Sequence, residues 1–356
     1  MIFSVTARGT FKRCKRQSVL TDKNGMHLGP SFGPLHLAVG SMVHKASQTW
    51  LDDWAKNGAA NKGARFHGMR AALGAAELAE RQYEARVGVR PSSEEVETTN
   101  EAVDFAVCMM ANYEEHWTTP LSKEYILIAP EQRVRIPVPG TTHQCPNCVR
   151  GRRWVTMRLD TGQTDVAEVI CTTCNGAGEE VHYLEGRLDA LIRRKDNGRL
   201  DILEHKSYKS RPKQEDLLRT DQFDAYRWQV GQLGLGDPYE THIAYDGLWR
   251  RKETPRGKRF SDLFSRYLLP PSKEALKEFE RFLPMELNDM AALFRHPAPL
   301  DAAYTNRRWE GCWDCGVRKV CNAMTDNTGY EAIIDAGFVK RTDDVEPTED
   351  ESDDAL

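Results

Sequence analysis

The stretch Gly186-Arg187-Leu188-Asp189, followed fifteen residues after its aspartate by Glu204-His205-Lys206, carries the strongest fold signal in this chain. Runs rich in β-forming residues, 187–193 and 199–206, stand on either side of Lys195-Asp196-Asn197-Gly198. An Asn-Gly pair between two such runs is typical of a β-hairpin. The sequence therefore predicts two adjacent antiparallel strands, with the aspartate on the first and the glutamate and lysine on the second.

The turn decides which residues face each other across this hairpin. A two-residue turn at Asn197-Gly198 places Asp189 opposite Lys206, whereas a turn at Asp196-Asn197 places it opposite Glu204. Because side chains alternate with a period of two, both registers leave the three charged residues on one face of the hairpin. A three-residue loop would separate them.

The three charged residues suggest a chemistry. Two carboxylates side by side repel each other unless a divalent cation lies between them, and hard oxygen ligands suit Mg²⁺ or Mn²⁺. A lysine beside them lowers the pKa of an attacking water or neutralises the charge that develops on a phosphate. Asp189, Glu204 and Lys206 thus form a minimal set for metal-assisted phosphodiester hydrolysis. Surface hairpins carry such charges by chance, so the rest of the chain must decide.

Further motifs stand before and after the hairpin. Gln222 and Tyr226 are four residues apart in a predicted helix over 216–233 and therefore share one helical face. Residues 35–55 predict an earlier helix, with His44 close to its apolar stripe of Leu35, Val39, Met42 and Val43. In this order, His44, Gly186-x-x-Asp189, Glu204-x-Lys206 and Gln222-x-x-x-Tyr226 resemble the PD-(D/E)XK nucleases of the RecB type. That group includes the AddB nuclease domains and the CRISPR-associated exonucleases.

The resemblance implies a role for each matching residue. It implies three metal ligands (His44, Asp189, Glu204), one water-activating lysine (Lys206) and two residues that orient the nucleic acid or the lysine (Gln222, Tyr226). His36 and His67 are alternatives to His44, but the order of the motifs favours His44. Glu124 matches a family glutamate that precedes the Gly-x-x-Asp strand.

A cysteine group lies near the end of the chain, Cys312-x2-Cys315-x5-Cys321. With no signal peptide or transmembrane run, a chain of nine cysteines suggests a reducing compartment, where cysteine clusters bind metal. Three thiolates need a fourth ligand, and Cys14 is the candidate. In the iron–sulfur branch of the same family, one early cysteine and a late C-x2-C-x5-C hold a 4Fe-4S cluster, and this chain matches that placement. A zinc ion with the same ligands is the alternative.

A second cysteine group lies between the two halves of the proposed nuclease. Cys145-x2-Cys148 and Cys171-x2-Cys174 form two knuckles that are typical of a zinc ribbon. Its metal would supply its stability, because so few apolar residues cannot build a core. The ribbon is interpreted as an insertion, either a structural staple or a contact to the DNA backbone. Cys108 lies in an apolar helical run and is predicted to be core.

The charge distribution separates the chain into a body and a tail. The formal net charge is −4, but residues 341–356 hold eight acids and one arginine, which leaves +3 for the rest. That tail has no periodic apolar pattern and is predicted to be disordered. Length and composition are those of one large domain plus an insert. We expect no membrane contact and a location in the cytoplasm of a prokaryotic cell or a phage-infected host.

The predicted architecture is an α/β restriction-endonuclease-like core. Helices are predicted over 35–57, 66–87, 94–117 and 273–295, the last interrupted at Pro284, and strands over 121–129, 181–193, 199–206 and 239–248. The expected divisions are a helical N-terminal part (1–129), a zinc-ribbon insertion (130–180), the nuclease core with the C-terminal iron–sulfur motif (181–335) and a disordered acidic tail (336–356).

The combined interpretation is a Mg²⁺- or Mn²⁺-dependent deoxyribonuclease. It would be an exonuclease that hydrolyses phosphodiester bonds at strand ends or in single-stranded DNA, in recombination, repair or phage DNA processing, with recombination or replication proteins as partners. Two other classes compete: a catalytically silent nuclease fold that binds DNA, and a zinc-ribbon adaptor that binds protein. The intact Asp189, Glu204 and Lys206 argue against the first, and the ordered motifs argue against the second.

Overall fold

The computed structural model describes residues 1–30, 35–58, 93–145, 148–158, 164–171, 174, 177–250, 263–303, 312 and 315–340. The helices are α1 (Val5–Arg13), α2 (Lys15–Thr21), α3 (Leu35–Asn57), α4 (Ser93–Glu124), α5 (Gln214–Leu217), α6 (Asp221–Gln232), α7 (Lys273–Arg295), α8 (Pro299–Ala302), α9 (Arg318–Asp326) and α10 (Tyr330–Gly337). The strands are β1 (Ile2–Ser4), β2 (Leu28–Pro30), β3 (Tyr125–Pro137), β4 (His143–Gln144), β5 (Arg152–Arg158), β6 (Thr164–Ile170), β7 (Glu179–Glu180), β8 (Tyr183–Arg194), β9 (Leu200–Tyr208), β10 (His242–Trp249), β11 (Phe264–Leu269) and β12 (Phe338–Lys340). Within these ranges, no helix has both the length and the apolar character needed to cross a membrane.

A mixed sheet of six described strands forms the centre of the molecule, in the order β1-β8-β9-β10-β11 with β3 also on β8. Strand β3 pairs with β8 over almost its whole length, while β1 and β9 share the opposite edge. Strand β1 pairs with Tyr183–Glu185 and β9 pairs with Ala190–Arg193. On that edge the described ladders therefore leave 186–189 unpaired, which is the Gly-x-x-Asp motif.

Helices cover both faces of this sheet. On one face, α3 and α4 pack their apolar side chains on Ala190, Ile192 and Leu203. On the other, α1, α6 and α7 pack on a cluster that includes Leu184 and Ile202. Each helix buries one apolar stripe, and the sheet between them is buried on both sides. The result is the mixed α/β fold of a restriction-endonuclease-like protein, as the sequence predicted.

The hairpin β8–β9 follows the second of the two predicted registers. Ala190 pairs with Leu203 and Arg193 pairs with Leu200, so the next position places Asp189 opposite Glu204. The loop is longer than a two-residue turn, because Arg194 N–H still donates to the Arg199 carbonyl at 2.9 Å. The loop therefore has four residues, 195–198, but it is centred on Asp196-Asn197 and so gives the same register as a two-residue turn there. Gly198 ends the loop with a φ of +74°, a left-handed conformation that suits glycine.

Several element predictions were wrong in their limits. Pro284 does not interrupt α7, because the buried face of this helix, with Leu276, Leu283 and Leu287, outweighs the roughly 3 kcal/mol that a proline costs inside a helix. Residues 121–124 form the last turn of α4 and not a strand. The predicted helix 216–233 is two helices, α5 and α6. Cys108 is half-buried rather than core. The predicted helix 66–87 lies outside the described residues.

The cysteine-rich segment extends from the end of the β3–β8 pair. The ladder ends at Pro137–Tyr183, and Val138 N–H donates to the His182 carbonyl at 2.9 Å. Beyond this point lie two small sheets, β4–β7 and β5–β6. The predicted limit at residue 130 therefore falls inside a core strand, and the excursion from the core begins at Val138.

The described ends of the chain meet beside the core. Strand β12 pairs with β2, and an apolar cluster joins Leu20 and Leu28 to Val317 and Val320. Because the order continues through Lys340, the predicted tail boundary at 336 was too early. Residues 341–356 lie outside the described residues.

Candidate active site and metal centres

The candidate active site lies where β9 separates from β8. The main-chain hydrogen bonds between β8 and β9 stop after the Ala190–Leu203 pair. At the next position a side chain replaces a main-chain acceptor: Asp189 Oδ2 accepts the His205 N–H at 2.7 Å. The side chains of Asp189 and Glu204 are almost completely buried. The opening between the strands therefore holds one carboxylate from each of them.

Two helices approach this opening, one of them at a position that only glycine can occupy. A Cβ on Gly186 would lie 2.2 Å from Oε1 of Gln229, which projects from α6 and donates through Nε2 to the Leu184 carbonyl. A Cβ on Gly40 would lie 3.6 Å from Oγ of Ser207, so α3 passes close to β9 one turn before His44. The first glycine of the Gly-x-x-Asp motif thus has a packing role, since no larger residue fits there.

Glu204 gathers the residues predicted from the later motifs. Lys206 Nζ lies 2.6 Å from Glu204 Oε1, and Gln222 Nε2 donates to the same oxygen at 3.1 Å. Gln222 Nε2 also donates to the Tyr226 hydroxyl at 2.6 Å. The other glutamate oxygen, Oε2, is buried without a hydrogen-bond partner. One lone-pair site on this buried acid therefore stays open.

His44 connects Asp189 to a carboxylate that the sequence analysis missed. Its Nδ1 lies 3.3 Å from Asp189 Oδ1, and its Nε2 lies 3.4 Å from Glu131 Oε2. Glu131 stands on β3 directly opposite Asp189 in the ladder, and its other oxygen contacts Arg187. The predicted Glu124 is exposed at the end of α4. The glutamate beside this site is Glu131, whose only sequence signal is its position on β3. The side chain of His36 and the whole of His67 lie outside the described residues.

The charges of this cluster influence one another strongly. Burial and the neighbouring Asp189 carboxylate raise the pKa of Glu204. Burial opposes ionisation of Asp189 as well, but His44 and His205 hold the pKa of Asp189 below its usual range. Burial also disfavours the Lys206 cation, yet Glu204 and Asp189 outweigh it and raise the pKa of the ammonium to about 12. The site is thus a compact group of opposite charges in which one acid lacks a full set of partners.

A buried polar network supports the site from the α4 face. His205, the residue between Glu204 and Lys206, has its Nε2 3.0 Å from the Tyr113 hydroxyl. Tyr113 donates to Asp246 Oδ2 at 2.6 Å, and Arg266 donates two hydrogen bonds of 2.5 Å to the same carboxylate. These contacts fix the main chain of β9 at the point where its N–H binds Asp189. Nothing in the sequence alone linked the members of this network.

The chemistry of the donor set suits a hard divalent cation, although no three of its ligand atoms all lie within 4.8 Å of one another. Asp189, Glu204 and Glu131 offer carboxylate oxygens, and His44 offers a ring nitrogen, all around one opening in the sheet. The open Oε2 of Glu204 is an unpaired buried acceptor of the kind that a cation satisfies. Lys206 contacts Glu204, and the imidazole rings of His44 and His205 contact Asp189.

The four ribbon cysteines form a compact thiol cluster. Among the described residues, only Cys145, Cys148, Cys171 and Cys174 offer three or more ligand atoms that all lie within 4.8 Å of one another. The measured Sγ–Sγ distances are 3.9 Å for Cys145–Cys171 and 3.5 Å for Cys148–Cys174. A tetrahedral site with metal–sulfur bonds of about 2.3 Å requires Sγ–Sγ distances of about 3.8 Å. The cluster therefore has the dimensions of a site for one metal ion.

The knuckles owe this geometry to local main-chain turns. Cys145 N–H donates to the Gly178 carbonyl and Cys171 N–H to the Gly151 carbonyl, both at 2.9 Å. Gly178 and Gly151 have φ values of +78° and +84°, which suit glycine. Burial and the thiols of Cys174 and Cys145 raise the pKa of Cys148 to about 12. Four crowded thiols resist ionisation unless a cation compensates for the charge.

Four of the remaining five cysteines, Cys14, Cys312, Cys315 and Cys321, lie near the junction of the described chain ends. Cys14 lies between α1 and α2, where its Sγ accepts the Gln17 N–H at 3.5 Å, and Cys321 lies on α9. Burial raises the pKa of Cys315, and the nearby thiols of Cys14, Cys321 and Cys312 add to this effect. The fold therefore brings Cys14 to within electrostatic reach of cysteines almost three hundred residues away.

The fold and the acid cluster define a nuclease of the restriction-endonuclease-like class. The family model of the PD-(D/E)XK nuclease superfamily matches residues 2–322, and the chain belongs to this superfamily. The superfamily is one of nucleases. A comparison with curated protein sequences found no match. Nine solved chains match, among them one described as "Crystal structure of SSO0001", at 16% identity and a TM-score of 0.22, with 52% of this chain and 62% of that chain covered. At that TM-score the resemblance carries no argument about the site.

Proposed function

We propose that this protein is a Mg²⁺- or Mn²⁺-dependent deoxyribonuclease that digests DNA from strand ends or in single-stranded form. The observation that supports this best is the pair of buried carboxylates, Asp189 and Glu204, on opposite strands of an opened ladder, with Lys206 against one of them. A structural ion pair needs only one acid for one lysine. Here a second buried acid, Asp189, lies opposite Glu204, and one oxygen of Glu204 has no hydrogen-bond partner; a cation site explains both features better than an ion pair.

The proposed roles follow from the contacts. Asp189, Glu204 and His44 hold the metal, and Glu131 holds His44 in place or joins it as a ligand. Lys206 supplies a positive charge beside the scissile phosphate. Gln222 and Tyr226 orient Glu204 through the hydrogen bonds described above.

In hydrolysis, a water oxygen forms a bond to phosphorus and one bridging P–O bond breaks; one of the water's protons goes to the leaving oxygen, and the other stays on the new phosphate monoester or passes to solvent. A bound Mg²⁺ or Mn²⁺ would supply charge stabilisation on the phosphate and make the attacking water more acidic. The Lys206 ammonium lies on the same side as the acids and stabilises the additional negative charge of the transition state. The buried surroundings strengthen these interactions.

The exonuclease mode and its setting rest on the resemblance to RecB-type nucleases. We propose action on strand ends or single strands because the motifs follow the order of those nucleases: His44, Asp189, Glu204-x-Lys206 and Gln222-x-x-x-Tyr226. We propose recombination, repair or phage DNA processing as the process, recombination or replication proteins as partners, and the cytoplasm of a prokaryotic cell or a phage-infected host as the location.

Linear and circular DNA test this function directly. Purified protein is incubated with end-labelled linear single strands, linear duplexes and closed circular single strands, with Mg²⁺, with Mn²⁺ or with EDTA. We expect metal-dependent loss of the linear substrates and survival of the circles. Cleavage of the circles would show an endonuclease, and binding without any cleavage would show a silent DNA-binding fold. If the protein neither binds nor cleaves DNA, a protein-binding adaptor is the better interpretation.

For the chain-end cysteines we propose a 4Fe-4S cluster on Cys14, Cys312, Cys315 and Cys321. No three of these thiols all lie within 4.8 Å of one another, in contrast to the ribbon set. A 4Fe-4S cluster binds each thiolate at a different iron and therefore suits more widely spaced thiols than a single metal ion does. Anaerobically purified protein should be brown, and Cys14→Ser should remove the colour. Cys108→Ser is the control and should stay brown. A colourless protein with two zinc ions per chain would contradict the cluster.

For the ribbon cysteines we propose zinc. Their Sγ separations suit one tetrahedral ion, and the knuckle spacing is that of zinc ribbons. Elemental analysis of the anaerobic protein should find about one zinc per chain. Protein without zinc, from zinc-replete cells, would reject this assignment.

A further inference from the structure

We propose that Lys23, Arg133, Arg135 and Arg187, here called the cationic row, bind consecutive backbone phosphates of a single DNA strand on the ribbon side of the active site. This inference rests on the proposed function and adds the path that the substrate takes. No motif in the sequence analysis included these four residues.

The row follows the β3–β8 ladder away from the catalytic acids. Antiparallel pairing places Arg133 opposite Arg187 and Arg135 opposite Glu185. Residues directly opposite each other in such a ladder project from the same face. Arg187 also contacts Glu131, the neighbour of His44. The row therefore begins at the candidate metal ligands and runs toward the end of β3 at Pro137.

Among the described residues, the cations of the row outnumber the carboxylates that contact them. Three cations surround the single buried carboxylate of Glu185: Arg135 at 2.7 Å, Arg133 at 3.2 Å and Lys23 at 3.6 Å. The fourth, Arg187, contacts Glu131. The side chains of Arg133 and Arg135 are 53% and 47% exposed, so a ligand can reach them. Glu185 holds the three cations in fixed positions. An ion pair with a purely structural role would need only one cation for this carboxylate.

The dimensions suit a nucleic-acid strand. Glu131 to Arg135 spans four residues, or about 13 Å at the rise of a β-strand. A stacked DNA strand rises about 3.4 Å per nucleotide, so the row would accommodate about four nucleotides. When the scissile phosphate lies at Asp189, its neighbours on one side pass over the row.

A binding measurement on an inactive parent tests the row. Asp189→Asn serves as the parent, and a labelled oligothymidine with free ends is titrated by fluorescence anisotropy over a series of salt concentrations. In this parent, Arg133→Gln with Arg135→Gln should raise the Kd roughly tenfold at low salt. The slope of log Kd against log salt should fall by about 1.4, because each single-strand phosphate contact contributes about 0.7.

Matched variants separate the row from net charge and from folding. Lys273→Gln with Lys277→Gln removes two exposed cations from α7, on another layer, and should leave Kd and slope unchanged. Arg133→Lys with Arg135→Lys keeps the charges and should restore most of the binding. Because loss of both arginines leaves the buried Glu185 short of partners, a triple variant adds Glu185→Gln. It should melt close to the parent and still bind weakly.

The outcomes distinguish the row from the proposed function. A folded double or triple arginine variant with the parent's Kd and slope overturns the row, while the nuclease proposal stands. An equal loss in the α7 control assigns the effect to net charge and overturns the row as well. If the parent does not bind the oligothymidine and the unaltered protein does not cleave it, the proposed function and the row fall together.

Discussion

The cluster of Cys145, Cys148, Cys171 and Cys174, here called the ribbon, and the acid cluster both bring together side chains of metal-ligand types, but over very different lengths of chain. The ribbon ligands lie within residues 145–174, and their sulfur atoms all lie within 4.8 Å. The acid cluster draws His44 from α3, Glu131 from β3, Asp189 from β8, Glu204 from β9 and Gln222 from α6. The ribbon depends on two local turns, whereas the acid cluster depends on the packing of the whole core. Substitutions that disturb core packing should therefore lower the rate of cleavage, whereas substitutions in the ribbon should leave that rate nearly unchanged.

The largest effect is expected from Asp189→Asn. Asparagine keeps an oxygen that can accept the His205 N–H, so the hairpin should remain folded. Cleavage should fall by at least about a thousandfold, because metal-ion catalysis supplies several kcal/mol of transition-state stabilisation. Single-turnover rates measure this, and DNA affinity should change little, since phosphate contacts dominate it. A variant that still cleaves at the parental rate would remove Asp189 from the active site.

Lys206→Ala should have the next largest effect. The loss of a charge that acts on the transition state should lower turnover on the order of a hundredfold. The affinity for Mn²⁺, measured by isothermal titration, should be retained, because Lys206 contacts Glu204 as a counter-ion and not as a ligand. Lys206→Arg is the matched control and should recover part of the rate. Equal losses of metal binding and rate would show a structural role.

Tyr113→Phe tests whether the core sets the geometry of the acid cluster. Removal of the hydroxyl leaves Asp246 and His205 each without one partner, at a cost of about 1–3 kcal/mol in stability. We expect turnover to fall roughly tenfold, because small displacements of catalytic groups cost large factors in rate. Asp201→Asn is the control: Asp201 is buried on the same strand but pairs with Arg199. It should lower the melting temperature and leave turnover unchanged. If Tyr113→Phe and Asp201→Asn lower turnover equally, Tyr113 contributes to stability alone.

The smallest effect on catalysis is expected from the ribbon. Cys145→Ser with Cys171→Ser should release the metal, yet turnover at saturating DNA should stay within about threefold, since distant sites contribute independently. Within the described residues, the excursion joins the core ladder at Pro137–Tyr183, away from the acids, and also contacts α7 through Glu180 and Arg295. Zinc content and turnover are measured on the same preparation. A large loss of turnover would show that the ribbon and the acid cluster are one unit, which would end the contrast between them.

Much of the site could be predicted because its motifs have regular periods. The alternation of side chains in β8 and β9 predicted that the two acids would meet, and the four-residue spacing of Gln222 and Tyr226 predicted a shared helical face. Element limits were less predictable. Pro284 lies inside a continuous helix, because tertiary burial overrides the local preference.

Glu131 shows most clearly where sequence reasoning ended. It lies seven residues after the predicted Glu124, on the same stretch of chain, and both are single glutamates in polar surroundings. Only the pairing of β3 with β8 places Glu131 opposite Asp189 and beside His44. That pairing includes a shift between Leu127 and Ala129, which alters which residues face the site and leaves no signature in the sequence.

The sequence by itself determined the hairpin that carries the two acids and the lysine, and the spacing within the two cysteine groups, because each depends on a few neighbouring residues or on local turns. Only the tertiary structure decided three other features. It decided which glutamate joins His44, how Tyr113 and Asp246 support His205, and how the cationic row lines up with the acids. These features depend on contacts between residues far apart in the chain, and such contacts form only when the apolar faces of helices and sheet are buried together.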